Sequence, residues 1–204
     1  ELEAALPLQI EGTGRLARAS DATALDLGIA QSNLAATQMQ LGLFDAARQT
    51  SALSIATFAA GGMASNSNAL TVRSNAAQIE VIQGRPERAL AMLQPVEAEF
   101  RARGTASAPF AALLNAKARA LLALHRIDPA RASIDEALQM ASTTSGPGSS
   151  DRTAFLLTAV EIDISGGAAN AARREALRSV VDALPGAHPF RARWHALQGL
   201  EHEQ

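Results

Sequence analysis

Small residues return along this chain at a nearly constant interval, and that register restricts the fold more than any other feature. Gly42, Gly84, His125 and Gly167 stand 42, 41 and 42 residues apart. Five residues after each column member comes an alanine: Ala47, Ala89, Ala130 and Ala172. Four further on are Ser51, Leu93, Ile134 and Ala176. Seven residues before the column are Ala35, Ala77, Ala118 and Val160. At helical spacing, such a unit is two antiparallel helices joined by a tight turn at the column residue. Small side chains on both sides of the turn let the backbones approach. The later position fills the groove towards the next pair. One pair cannot cover its apolar face alone, so the copies must stack.

The rest of the chain agrees with helices. Alanine and leucine recur at helical spacing, and strand-like alternation is absent. Hydrophobic residues make up 48% of the 204, but aromatics only 3%, with no tyrosine. That excludes an immunoglobulin-type sandwich, which needs β-branched and aromatic side chains on alternating positions. The same apolar content with a net charge of -2 excludes a disordered chain. Gly42, Gly84 and Gly167 read as left-handed residues closing helices. Asp21 and Asp151 read as N-caps, and Asp128-Pro129 as an N-cap followed by proline at the first helical position. Pro86, Pro109 and Pro189 suit helix starts. Residues 61–68 and 142–150 read as loops. The expected layout is four copies over residues 21–62, 63–104, 105–146 and 147–185, with an extra helix in 186–204 capping the last apolar face. Residues 1–20 are a cap or the remnant of a preceding copy. Pro7, Gly12 and Gly14 argue against a complete helix there.

Gly42-Leu43-Phe44-Asp45-Ala46-Ala47, Gly84 through Ala89-Leu90, and Ala130, Ile134, Ala137 and Leu138 resemble the tetratricopeptide repeat. The usual period is about 34 residues. The longer one here is similar to the kinesin-light-chain subtype, which also occurs in bacterial signalling and regulatory proteins. Ser32-Asn33-Leu34-Ala35, Ser74-Asn75-Ala76-Ala77 and Gly186-Ala187-His188-Pro189 support that subtype. The resemblance covers residues 22–202. It departs from the family in lacking most aromatic positions, especially the large aromatic early in the first helix. It implies an all-α, right-handed superhelical solenoid of about four antiparallel helix pairs with a C-terminal capping helix.

Signals for catalysis are thin. There is no cysteine or tyrosine, and there are four histidines. Lys117, the only lysine, lies between Ala116 and Ala118, so no phosphate-binding Gly-Lys-Ser/Thr exists. Neither His-Glu-x-x-His nor Gly-x-Ser-x-Gly occurs. His188, His195 and His202 recur every seven residues, but helical neighbours at that spacing lie about 10 Å apart. That is too far to share one metal, so they read as a capping or solvated face. Trp194 reads as a packing anchor. Arg173, Arg174 and Arg178 read as a solvated face balanced by Glu175. Glu161 and Asp163 cannot point the same way on a helix and make a poor acid/base pair. No catalytic residue, metal or cofactor is expected. With pI near 6.1 there is no electrostatic case for nucleic acid, and no apolar run is long enough to cross a membrane.

The resemblance implies that the first helix of each pair lines a concave groove for a peptide. Carried over, the lining residues are Ser32, Asn33, Ala36 and Gln40; then Ser74, Asn75, Gln78 and Ile82; then Asn115, Arg119 and Leu122; then Thr158 and Glu161. In the resembled subtype, asparagines at the position of Asn33 and Asn75 hold the peptide backbone. An amide suits this, offering both donor and acceptor. Arg119 would fix a carboxylate. Ala116 and Thr158 replace the asparagines in the later copies. The expected function is a non-catalytic scaffold binding a protein or peptide. The rivals are a sensor region of a larger bacterial kinase or transcriptional regulator, suggested by the missing initial Met, and a self-assembly module forming homo-oligomers through the solenoid ends. The cytoplasm is the favoured compartment.

Overall fold

A computed structural model describes residues 2–104, 106–144, 146, 149–168, 170–186 and 188–202. Ten α-helices and no strand are present among them. The chain divides into two compact units, Glu1–Arg103 and Gly104–Gln204. In the first unit, α1 (Leu2–Leu16), α2 (Ala24–Gln40), α3 (Phe44–Ala60), α4 (Ser67–Ile82) and α5 (Pro86–Arg103) each pack on the next, and α2 also packs on α4. The second unit repeats the scheme. There α6 (Ala108–Ala123), α7 (Ile127–Thr144), α8 (Ser150–Ser165), α9 (Ala171–Asp182) and α10 (Pro189–His202) pack in succession, with α8 also touching α6 and α10.

The turn column is a backbone fact. Gly42, Gly84, His125 and Gly167 all have positive φ, at 75°, 73°, 55° and 66°. After each, the next N–H bonds to a carbonyl five residues back: Leu43 to Gln38 at 2.8 Å, Arg85 to Glu80 at 2.8 Å, Arg126 to Leu121 at 2.9 Å and Ala168 to Asp163 at 2.8 Å. This is the Schellman arrangement, which satisfies carbonyls that a helix end leaves unpaired. The alanines on both sides are buried as the register requires. Ala35, Ala77, Ala118, Ala47, Ala89 and Ala130 lie inside, with Leu93 and Ile134 filling beyond them.

The fourth copy slips. Helices α3, α5 and α7 begin two residues after the column residue, whereas α9 begins four after Gly167. Ala172 is therefore exposed and Ala176 only half-buried. Leu177 and Val181 are buried in their place, beside Leu156, Leu157, Val160 and Trp194. In the first unit α2 and α3 approach closely because Gly28 meets the Phe58 ring, where a Cβ would come within 2.8 Å. The Ser54 hydroxyl donates to the Gly28 carbonyl at 2.7 Å across that seam.

Several expected boundaries move. Thr23, not Asp21, caps α2: its hydroxyl accepts from Asp26 N–H at 3.1 Å, and Asp26 completes a capping box. Ser149, not Asp151, caps α8. Asp128 lies inside the first turn of α7 rather than at its cap. The loop expected over 61–68 is shorter, because Asn66 caps α4 and Ser67 begins it. Helix α1 runs through Pro7, Gly12 and Gly14. Pro7, the sixth residue of α1, gives up the bond its N–H would make to the Glu3 carbonyl, and the helix continues through it. Residues 145, 147 and 148 of the loop expected over 142–150, and Ala187 of the Gly186–Pro189 motif, lie outside the described residues.

Candidate peptide-binding faces

The even-numbered helices carry the residues that sequence reading assigned to a ligand. In the first unit Asn33 lies exposed on α2, and Asn75, one period later, is half-buried on α4. No hydrogen bond within the described residues engages either amide. Gln40 is exposed and Gln78 half-buried. Ser32 and Ala36 are half-buried, and Ile82 is exposed. Ser74 is buried and its hydroxyl donates to the Leu70 carbonyl at 2.9 Å, so it serves the helix. Asn33 also edges a cleft of about 410 Å³ between α1 and α2.

In the second unit the assigned residues separate. Asn115 is buried rather than presented to solvent, and its Oδ1 has no hydrogen-bond partner. Thr158 is fully buried and its hydroxyl donates to the Ala154 carbonyl at 3.1 Å. Leu122 is half-buried. Arg119 is half-buried on α6, and no ion pair engages it among the described residues. Burial chiefly lowers its pKa, the Arg193 guanidinium adds to this, and Glu161 opposes it. Glu161 itself is bound by Arg193 of α10 at 2.5 Å. The arrangement leaves one partly desolvated cation beside an occupied ion pair, which can receive a carboxylate bidentately.

The basic cluster on α9 is not a solvated face. The Arg173 side chain is 18% exposed and bridges Asp163 of α8, at 3.1 Å, and Asp135 of α7. Arg131 of α7 reaches Asp163 from the other side at 3.5 Å. Arg178 does pair with Glu175, at 3.5 Å. This network was legible only in part. Four residues before the turn column stand Gln38, Glu80, Leu121 and Asp163, three of them polar, and all four are buried. Glu80, 2% exposed, accepts from Arg85 Nε at 2.5 Å and lies 3.5 Å from Arg88. The periodic polar position was the available signal, and an amphipathic reading discards it as surface.

Among the described residues no group of three or more His, Asp or Glu side chains is placed to hold a metal. The His188 ring accepts the Phe190 N–H at 3.2 Å and so caps α10, while His195 meets Gln198 at 3.1 Å. The side chain of His202 lies outside the described residues. Trp194 is buried against α8 and α9 residues. No described helix is long and apolar enough to cross a membrane.

No family model matches the chain, and no curated protein sequence does. Solved structures do. The crystal structure of BtubC (BKLC) from P. vanneervenii superposes with a TM-score of 0.67 at 19% identity, over 97% of this chain and 75% of that one. Nearly identical TPR-like repeats ascribed to a Podospora anserina kinesin light chain superpose with a TM-score of 0.61 at 19% identity, over 85% of this chain and 86% of that one. A singly substituted form of the same repeats matches equally. The chain therefore has the all-α helical-repeat solenoid fold of TPR-like, kinesin-light-chain-type proteins.

Proposed function

We propose that this chain is a non-catalytic scaffold that binds a peptide segment of a partner protein on the faces of its even-numbered helices. The observation that carries the reading is the pair Asn33 and Asn75. They lie one repeat apart, accessible and without hydrogen-bond partners, on equivalent helices of one unit. Amides so placed can bond a peptide backbone without selecting its side chains. In the second unit, taken by itself, Arg119 receives a carboxylate of a bound peptide, whose charge offsets the desolvation that the guanidinium bears unpaired.

The test is a peptide-library screen followed by titration of variants. Losing one hydrogen bond costs about 0.5–1.5 kcal/mol, so Asn33→Ala with Asn75→Ala is expected to weaken a selected peptide by roughly 5- to 100-fold. Arg119→Gln is expected to weaken acidic peptides by about 10- to 100-fold. It should also flatten their salt dependence, whereas the asparagine contribution is insensitive to salt. A selected peptide that binds all these variants as it binds the wild type refutes the assignment.

A second reading has its own observation. Leu8 and Ile10 of α1 are 71% and 51% exposed, which favours self-association through that helix. Light scattering across a concentration series decides it, and a monomer throughout rejects it.

A further inference from the structure

The seam between α1 and α2 is not filled. Gln9, Gly12, Thr13 and Leu16 follow one another at i, i+3, i+4 and i+7, the spacing of a single helical face. With Ala30 and Asn33 of α2 they line the cleft of about 410 Å³. At the neighbouring seam, Phe58 of α3 occupies the space over Gly28. Between α1 and α2 the cleft lining holds no aromatic ring. Gly12 is central. A Cβ built there meets nothing within 4 Å, so no packing within the unit requires glycine. Glycine also weakens a helix interior, which makes its presence there a cost to α1. The cleft is further lined by two side-chain amides without partners. Gln9 Oε1 is buried and makes no hydrogen bond, and the Asn33 amide is unengaged. The remaining lining residue, Arg15, is bound to Glu11 at 2.6 Å.

We propose that this cleft is a subsite for an uncharged peptide segment, which lays one aliphatic side chain over Gly12 and bonds its backbone to the Asn33 amide. The inference rests on the peptide-binding reading above and adds the chemical class of the ligand. Size limits the occupant, since ligand clefts span about 300–1,000 Å³ and this one is near the lower end. It accepts a side chain with its flanking peptide groups, not a helix. Charge limits it too. The one charged lining residue, Arg15, shares with Glu11 an ion pair that is 74% and 58% exposed, so water screens its charge and it compensates little for burying a carboxylate or ammonium here. An aliphatic group gains by leaving water, and the amides match the donor and acceptor of a peptide bond.

The probes are acetyl-Ala-Leu-Ala-amide and its acidic counterpart acetyl-Ala-Glu-Ala-amide, titrated against the full chain while the side-chain amide resonances of Gln9 and Asn33 are followed by NMR. The leucine peptide is expected to shift both resonances saturably at millimolar concentration, the range of weak fragment-sized ligands. The glutamate peptide should bind at least tenfold more weakly. Gly12→Leu fills the cleft and should abolish the shifts, while slower hydrogen exchange in α1 shows the helix intact. Gly12→Ala, the smaller change, should weaken binding partially. Saturation by neither peptide, equal saturation by both, or unchanged binding to Gly12→Leu overturns the proposal. If library peptides lose affinity for Asn33→Ala with Asn75→Ala yet bind Gly12→Leu as tightly as wild type, the cleft is rejected and the broader reading survives.

Discussion

His125 holds the same left-handed backbone as the glycines at the three other turns, and it is the one described non-glycine residue with positive φ. A Cβ in that conformation is strained by roughly 1–2 kcal/mol. Glycine removes the strain but loses more chain entropy on folding, by about 0.5–1 kcal/mol. The His125 side chain is exposed, so replacing it sacrifices no packing. His125→Gly is therefore expected to stabilise the chain by up to about 1 kcal/mol, read as a higher denaturant midpoint at unchanged slope. A destabilised variant would show that the imidazole does more than occupy the turn. At this scale the sequence was informative where a residue's conformation is local. The column of Gly42, Gly84, His125 and Gly167 could be read directly. The caps were legible less well, because Asp21, Thr23 and Asp26 all have capping chemistry, and only the backbone path selects Thr23.

At the scale of the element, each turn is fastened by the residue that follows it. Arg85 closes the α4–α5 turn twice, through its N–H to the Glu80 carbonyl and through its guanidinium to the Glu80 carboxylate. The Arg85 hydrogen bond holds the Glu80 carboxyl below the ordinary value of 4.5, against the opposing effect of burial. In the same unit the Ser65 hydrogen bond, with Arg73, does likewise for Glu99. A carboxyl whose folded pKa is depressed favours folding above the unfolded value. That contribution is lost as pH falls through the lower, folded value. Stability is thus expected to fall as pH drops below about 4.5. Glu80→Gln should lower stability at neutral pH and flatten the acid limb, as followed by circular dichroism in a pH series. An acid limb of unchanged steepness would remove Glu80 from this account. Sequence alone did not reveal these pairs. Asp163 and Arg173 lie ten residues apart and Asp135 and Arg173 thirty-eight, and nothing in periodicity tells which of several arginines turns inward.

In each of the molecule's two units, stability belongs to helices packed in succession, and α10 ends the second unit by covering α8 and α9 with Trp194 and Leu197. Trp194 is the single tryptophan and is 5% exposed, so its fluorescence reports the docking of that helix. Trp194→Phe should cost less than Trp194→Ala, which is expected to cost about 3–5 kcal/mol. Denaturation followed by circular dichroism checks both, and a loss below about 1 kcal/mol for Trp194→Ala would mean that α10 is dispensable. The repeat fold was legible because its cause is local and recurrent: a small residue every forty-two positions, a left-handed turn, and an apolar stripe on each helix. The fourth copy escaped because two extra residues before α9 rotate its buried face from Ala172 to Leu177. The candidate site was legible only as a column. Sequence placed Asn33, Asn75, Asn115 and Arg119 on equivalent helices. Burial then left Asn33 and Asn75 reachable, enclosed Asn115, and stranded Arg119 beside an ion pair already made. Read alone, the chain revealed the period, the paired helices after residue 20 and the left-handed turns that join them, because these follow from backbone sterics and nearest-neighbour spacing. Tertiary structure alone decided which polar groups are shared between helices and where a seam stays open, because those depend on side chains that meet from distant parts of the chain.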